Sequence, residues 1–373
     1  MEQIGIGVIG TGFMGKAHAR AYNAVFSAYP DLALQPKLVG VADINGEAAK
    51  RTAVQFGFER HTSDWKSLIV DPEIKIISIT TPNVMHREMA VAAAQAGKHI
   101  HCEKPLAPTA IDAKAMLDAA NSAGVMTQVG YNYIKNPLLK LAKQMIADGE
   151  LGEITSFRGV HAEDYMADPK ILFDWRVDGS GGEGGAIQEI GSHIIGIARF
   201  LLGNIVEISA DLETVLKTRP DADGTPRKVM VDDVARMIVR FDGGFSGSIE
   251  ANWLATGRKM QLGFEVSGTK GSLAFTQEHL NELLYYRAGD PAREAGFSRI
   301  ETGPQHPPYA NFCPTAGHQL GFNDLKTIEM AEFLTAIAGG ARNGPEFLEA
   351  YAIQNVIDAA LRSSKERSWV TVK

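Results

Sequence analysis

Cysteine is nearly absent from this chain: two residues, Cys102 and Cys313, occur among 373. With no CxxC pair and no histidine at zinc-finger spacing, neither a disulfide framework nor a structural metal site organises the fold, and no metal is expected. The sequence holds no uninterrupted apolar run of about eighteen residues, which excludes a membrane-spanning helix. Surplus basic charge is missing too. Lys and Arg number 37 against 44 Asp and Glu, a formal net charge of −7. Without a basic cluster, neither nucleic acid nor an anionic membrane is the expected partner. There is no internal repeat and no low-complexity tail. The opening MEQIGIGVIG has an acidic residue where a secretory signal carries basic ones, and it runs straight into a strand pattern. No targeting segment is read from it, and a cytoplasmic location is expected.

What remains is a globular composition, 45% hydrophobic and 22% charged. The length is more than one hydrophobic core usually serves, so two domains are expected. The first part alternates short apolar runs with helical patterns: IGIGVI, KLVGVAD, IKIISIT, KHIHCE and VMTQVG, separated by helix-like stretches at 14–28, 47–56, 84–96 and 110–123. Such alternation predicts an α/β unit with a doubly wound parallel sheet. After about residue 151 the pattern changes. GEITSFRGVHAED, VEISADLETVLK, VARMIVRF, FSGSIEANW, QLGFEVSG, GSLAFT and ELLYYR follow one another with turn signals between them, predicting an open, mostly antiparallel sheet with one face available to a partner. Helical patterns interrupt it at 186–202 and close the chain at 325–338 and 346–363. The expected domains are 1–131 and 132–373.

The most informative glycines are Gly10, Gly12 and Gly15 in VIGTGFMGKAH. They follow a strand and open a helix, as a dinucleotide turn requires: one for the turn, one for approach of the pyrophosphate, one for helix-to-strand packing. Thr11, Phe13 and Met14 belong to the same turn, whose helix N-terminus offers backbone N–H groups to phosphate. Asp43 ends the second strand, where a carboxylate accepts ribose hydroxyls and repels a 2′-phosphate, so NAD is expected ahead of NADP. The connection is longer than usual because FSAYPDLALQP intervenes. Further on, Thr81, Pro82, Asn83 and His86 in TTPNVMH follow IKIISIT, and Glu103 and Lys104 in HCEKP follow KHIHC. Strand carboxyl ends line the ligand crevice of a parallel sheet, so these residues are expected at one cleft with the cofactor. A lysine stem that merely snorkels to the surface is the ordinary reading of Lys104. Its place in that series favours a reacting role, with Pro105 restraining the backbone.

GxGxxG, then TPN-x-x-H, then EKP, then a glycine-rich segment leading to E-x-x-x-H, resembles the Gfo/Idh/MocA family of glucose–fructose and inositol oxidoreductases along essentially the whole chain. The resemblance implies an amino-terminal Rossmann domain for NAD(P) and a carboxy-terminal α/β domain that carries the substrate site. It also implies a homo-oligomer, a dimer or tetramer, joined through the second sheet. By the same resemblance Lys104 matches the family's reacting lysine, with a cis bond to Pro105. In GGEGGAIQEIGSHIIG the histidine of the family's D-x-G-x-H carries over as His193, but Glu189 stands at a departure from that pattern. The four-residue spacing predicts Glu189 and His193 on one helix face. Gln188 beside them is a further polar candidate.

Lower-ranking substrate candidates are Tyr131, Asn132 and Tyr133 in GYNYIKNP, Asp164 in AEDYMADP, and Trp175 and Arg176 in FDWRVDG. Aromatic faces suit the C–H side of a polyhydroxylated ring, and carboxylates accept its hydroxyls. The segment 303–326 is expected to be a long irregular loop. The activity implied is hydride transfer from a secondary ring hydroxyl of a sugar or cyclitol to NAD. His193 would serve as general base, Lys104 would donate to the developing alkoxide, and Glu189 would orient the histidine or a hydroxyl. Two other outcomes stay open at this point. One is an NAD-dependent enzyme that cleaves glycosides through transient ring oxidation. The other is a non-catalytic NAD-binding regulator.

Overall fold

The computed structural model describes residues 2–373. The chain divides into two compact units, the first made of residues 1–135 and 321–352 and the second of 136–320 and 353–373.

In the first unit, strands β1 (Glu2–Ile9), β2 (Leu34–Ala42), β3 (Arg60–Thr62), β4 (Ile74–Ile79), β5 (His99–Cys102) and β6 (Thr127–Val129) alternate with helices α1 (Phe13–Ala28), α2 (Gly46–Phe56), α3 (Trp65–Val70), α4 (His86–Gln95) and α5 (Ala110–Ala123). The sheet order is β3-β2-β1-β4-β5-β6, and every pair is parallel. Six successive residues of β1 are buried, the mark of a strand covered on both faces. The order reverses between β1 and β4, so the turns after these two strands open at the topological switch point, where such sheets bind ligands. The short β3 and α3 lack a readable period and did not show in the sequence.

In the second unit, α6 (Pro137–Ala147) starts from Asn136, whose side chain accepts the Leu138 N–H, with Pro137 in the first turn. Then come β7 (Ile154–Ala162), α7 (Ser192–Leu202), β8 (Ile205–Glu213), the small hairpin β9 (Thr218–Pro220) with β10 (Pro226–Lys228), β11 (Val234–Phe241), β12 (Ser246–Asn252), β13 (Gln261–Gly268), β14 (Gly271–Thr276), β15 (Glu282–Arg287) and β16 (Ser298–Glu301). With the closing β17 (Val370–Thr371), nine strands form one sheet in the order β16-β15-β14-β13-β7-β12-β11-β8-β17. It is antiparallel except for β12 against β7. From Ala235 on, β11 alternates buried and exposed residues, which shows a sheet with one covered and one open face. The irregular segment expected at 303–326 is present up to residue 321. Asn281 pins its neck: its carbonyl accepts the Thr302 N–H at 2.9 Å, its Nδ2 donates to the Leu320 carbonyl and its Oδ1 accepts the Leu320 N–H, both at 3.0 Å.

Two helices complete the chain, α8 (Phe322–Ile337) and α9 (Phe347–Glu366). The expected boundary at residue 131 assigned both to the second domain. In the structure α8 belongs to the first unit, because its apolar face packs into that unit's core. Met330, Phe333 and Leu334 join Tyr22 and Val25 of α1 and Ile4, Ile6 and Val8 of β1 in one buried cluster. Truncating Phe333 to Ala there would cost about 3–5 kcal/mol.

Candidate active site

The turn after β1 has the geometry a dinucleotide demands. Gly10 has φ +100°, a left-handed conformation open to glycine. A Cβ on Gly15 would lie 2.0 Å from the Gly10 carbonyl oxygen, so helix and turn close on each other only with glycine there. At Gly12, in contrast, an added Cβ would meet nothing within 4 Å. Gly12 caps α1 without any side-chain hydrogen bond, so the helix N-terminus presents open space rather than a capping group. That combination fits a pyrophosphate. Asp43 follows β2 and braces the same turn: its Oδ2 accepts the Thr11 N–H at 2.9 Å and the Thr11 hydroxyl at 2.6 Å. Its Oδ1 accepts the Asn45 N–H at 2.9 Å. A carboxylate has about four acceptor positions, so three are in use and the remaining capacity is closer to one ribose hydroxyl than to two. Phe13, in the first turn of α1, is 71% exposed, and its ring lies 5.7 Å from that of Phe322 at the start of α8. Tyr133 is half-buried and meets Phe322 at 6.2 Å. Tyr131 and Asn132 are buried.

His86 is turned inward. Its ring nitrogens face the Thr81 carbonyl at 2.9 Å and the Leu106 carbonyl at 3.2 Å. Burial lowers its pKa against the pull of those two carbonyls, and the ring spans the loop after β4 and the loop after β5. His86 thus braces the segment Thr81, Pro82 and Asn83 from within.

Glu103 is likewise a buried support, while Lys104 is half-buried and its bond to Pro105 is cis, as the resemblance implied. Glu103 Oε2 accepts the backbone N–H of Lys104 at 3.1 Å. Its Oε1 receives His18 Nε2 at 2.8 Å and Lys326 Nζ at 2.7 Å. Burial works to raise the Glu103 carboxyl, but Lys326 and His18 outweigh it and hold the group well below its usual range. Burial drives the His18 imidazole down to about 3. It is therefore neutral, donating from Nε2 to the carboxylate and accepting the Ser78 hydroxyl at Nδ1 over 2.7 Å. Lys326 also meets Glu329 at 2.7 Å, and His101 stands 2.9 Å from the same Glu329 oxygen. Burial would raise the Glu329 carboxyl, yet Lys326 and His101 bring it to about 2. Ligand atoms of His18, His101 and Glu329 lie within 4.8 Å of one another. The Lys326 ammonium already supplies positive charge to that carboxylate, which disfavours a metal ion there.

In the second unit, the glycine-rich segment ends on Asp232. This buried carboxylate accepts the Gly185 N–H at 2.7 Å and the Ile187 N–H at 2.9 Å. Burial raises its pKa to about 6 against the pull of those two donors. The next turn, Ile187–Gly191, is a π-helix that runs on into α7. The expected α-helical stacking of Glu189 and His193 is thus altered, since the wider turn brings residues about five apart into line. His161 Nδ1 meets the Ile190 carbonyl at 2.7 Å and its Nε2 meets Glu163 Oε1 at 2.8 Å. Its ring lies 5.6 Å from that of His193. Glu189 is half-buried, and Gln188 and His193 are buried. Asp164 faces elsewhere: Lys259 at 2.6 Å and the Gly257 N–H at 3.0 Å occupy its carboxylate and lower its pKa. The Arg176 guanidinium sits over Trp175 at 4.4 Å and pairs with Asp174 at 3.0 Å. Sequence reasoning missed His18, His161, Asp232, Phe322 and Lys326. His18 carried the one available signal, a histidine one turn past the glycine motif.

Two family descriptions match the chain: an oxidoreductase family with an NAD-binding Rossmann fold over residues 4–131, and the GFO/IDH/MocA C-terminal domain over residues 139–274. The chain belongs to the Gfo/Idh/MocA oxidoreductase family. Among relatives, it is 41% identical over 386 residues to levoglucosan dehydrogenase of Pseudarthrobacter phenanthrenivorans, covering 100% of this chain and 99% of that one. Against the scyllo-inositol 2-dehydrogenase (NAD(+)) of Bacillus subtilis it is 30% identical over 274 residues, 73% of each chain. A solved structure of levoglucosan dehydrogenase in complex with NADH and levoglucosan matches with a TM-score of 0.96 and 40% identity, covering 100% of both chains. As a Gfo/Idh/MocA member, this protein is an NAD-dependent oxidoreductase, which sets aside the regulator reading. Among the described residues no helix is long and apolar enough to cross a membrane.

Proposed function

We propose that this enzyme oxidises a secondary ring hydroxyl of levoglucosan or a closely related sugar, with NAD as the hydride acceptor. The observation that carries the reading is likeness over the full length of both chains to levoglucosan dehydrogenase, including its form with bound sugar. Gly10, Thr11, Gly12, Phe13, Met14, Gly15 and Asp43 hold the cofactor, with Thr81, Pro82 and Asn83 along the crevice edge. Lys104 donates a hydrogen bond to the reacting oxygen and stabilises the charge that develops on it. His193 takes the hydroxyl proton. Glu189 orients the histidine or a neighbouring hydroxyl, and Gln188, Tyr133 and Trp175 contact the sugar.

The open face of the nine-stranded sheet pairs with a second copy of the chain in this reading. Its shallow concavity of about 770 Å³ is lined by Arg158, Arg236 and Ile238 together with Asp211, Glu250 and Glu265. Both charge signs on one face allow a two-fold contact in which each patch meets its opposite. Light scattering tests this through the mass in solution. A cytoplasmic site of action goes with the use of NAD and with two unpaired cysteines.

The catalytic assignment is tested by replacement. Lys104→Met should lower kcat with levoglucosan by about 10²–10³-fold while NAD still binds. His193→Ala should lower it by about 10²–10⁴-fold. Near-full turnover in both variants would overturn the assignment.

A further inference from the structure

The cluster beneath Lys104 has more organisation than a core requires. Two buried side chains from two helices, His18 of α1 and Lys326 of α8, converge on one carboxylate oxygen of the buried Glu103, which follows β5. The other oxygen of that carboxylate reaches the backbone of the residue proposed to react. Room for the carboxylate depends on Gly130, where a Cβ would stand 2.4 Å from Glu103 Oε1. Burying two carboxylates and an ammonium costs desolvation energy that apolar side chains would avoid, so such a group adds little net stability. What it does supply is direction, because a charge-assisted bond is short and strongly oriented.

We propose that Lys326 is a positioning residue for Lys104, acting through Glu103, an inference that rests on the reading of Lys104 as a catalytic group. The ammonium holds Glu103 Oε1 from α8 and His18 holds it from α1. With that oxygen held from two sides, Oε2 is aimed at the Lys104 N–H, and the peptide from which the Lys104 side chain departs is fixed. Glu329 keeps Lys326 in place from one turn further along α8. His18 lies in the helix that the glycine turn opens, so the one carboxylate ties that helix, through Oε1, to the Lys104 backbone, through Oε2. Misplacing a reacting group by about 1 Å costs on the order of 10²-fold in rate, which sets the size of the effect.

The test is a double-mutant cycle. Lys326→Met alone strands two buried carboxylates, so Lys326→Met is combined with Glu329→Gln, which removes one charge of each sign. Single-turnover NADH formation from levoglucosan is measured at high enzyme concentration, so that slow variants are read, alongside an NAD titration and thermal unfolding. The expected result is an NAD Kd within about threefold of the parent and a rate lowered about 10²-fold. In a Lys104→Met background the same pair should add less than about threefold, since its effect passes through Lys104. A parent-like rate, or a loss repeated in full on Lys104→Met, overturns the inference. If the double variant does not refold, Lys326→Arg, which keeps the charge and moves the donors, is read in the same cycle by the same criteria. Full activity in Lys104→Met itself would instead remove the catalytic reading of that lysine, a separate and distinguishable failure.

Discussion

Gly12 and Gly15 lie three residues apart in one turn, yet the structure assigns them opposite vulnerabilities. A methyl at Gly15 would lie 2.0 Å from the Gly10 carbonyl oxygen. Relieving that contact requires a backbone shift of about 1 Å, and overpacking of this kind costs about 1–3 kcal/mol. A methyl at Gly12 meets nothing within 4 Å, and the backbone there, φ −66° and ψ −167°, is open to alanine. Alanine is a poorer N-cap than glycine, but it restricts the unfolded chain, so the two effects leave stability within about 1 kcal/mol of the parent. The open space at Gly12 is where the pyrophosphate approaches. Displacing it there forfeits about two charge-assisted hydrogen bonds of about 1.5–3 kcal/mol each, a loss of about 10²–10⁴-fold in NAD affinity. Gly12→Ala should therefore unfold at the parent's temperature and bind NAD far more weakly by fluorescence titration. Gly15→Ala should lose stability as well. Parent-like NAD affinity in Gly12→Ala would refute the placement of the pyrophosphate on this turn.

Asp43→Ser should narrow the preference for NAD over NADP, and equal affinity of the parent for both cofactors would contradict the role given to that carboxylate. Acid should destabilise the first unit early. His18 has a folded pKa of about 3 against 6.5, so the unfolded chain takes up its proton first as pH falls below 6.5. Glu329, at about 2 against 4.5, adds to the loss at lower pH. Together they remove stability on the order of a few kcal/mol by about pH 4, and unchanged hydrogen-exchange protection of α1 and α8 between pH 7 and 4 would contradict this. Asp232, raised to about 6 from 3.8, has the opposite sign, its contribution being lost as pH rises through 6. Asp232→Asn should loosen the π-turn and lower kcat more than NAD affinity; a change in NAD affinity alone would contradict its role at the start of the segment that carries His193.

Periodicity and glycine spacing made most of the first sheet legible. Strands buried on both faces read as unbroken apolar runs, and Gly10 to Gly15 mark their own turn. In the second unit, successive strand runs with turn signals between them announced a mostly antiparallel sheet. Three features left little local signal. The assignment of α8 to the first unit depends on what Met330, Phe333 and Leu334 touch, and an amphipathic helix does not carry its partner's address. The π-turn begins where Asp232, more than forty positions later in the chain, holds the Gly185 and Ile187 N–H groups, a partner that E-x-x-x-H does not announce. Lys326 and Glu103 are 223 positions apart, and a lysine in a helix pattern reads as solvent-facing until the opposing carboxylate is seen. The substrate candidates divide in the same way. Glu189, Gln188 and His193 are neighbours on one segment and stay together, whereas Asp164 is bound to Lys259, a partner that sequence alone does not supply.

The most direct measurement is the balance between NADH and sugar. With levoglucosan and excess NAD, the enzyme should form one NADH for each keto sugar released, with the parent rate depending on both Lys104 and His193. Cleavage of a glycosidic bond with no NADH accumulating, and with solvent deuterium entering at the carbon beside the anomeric centre, would contradict net oxidation and show that the hydride is handed back.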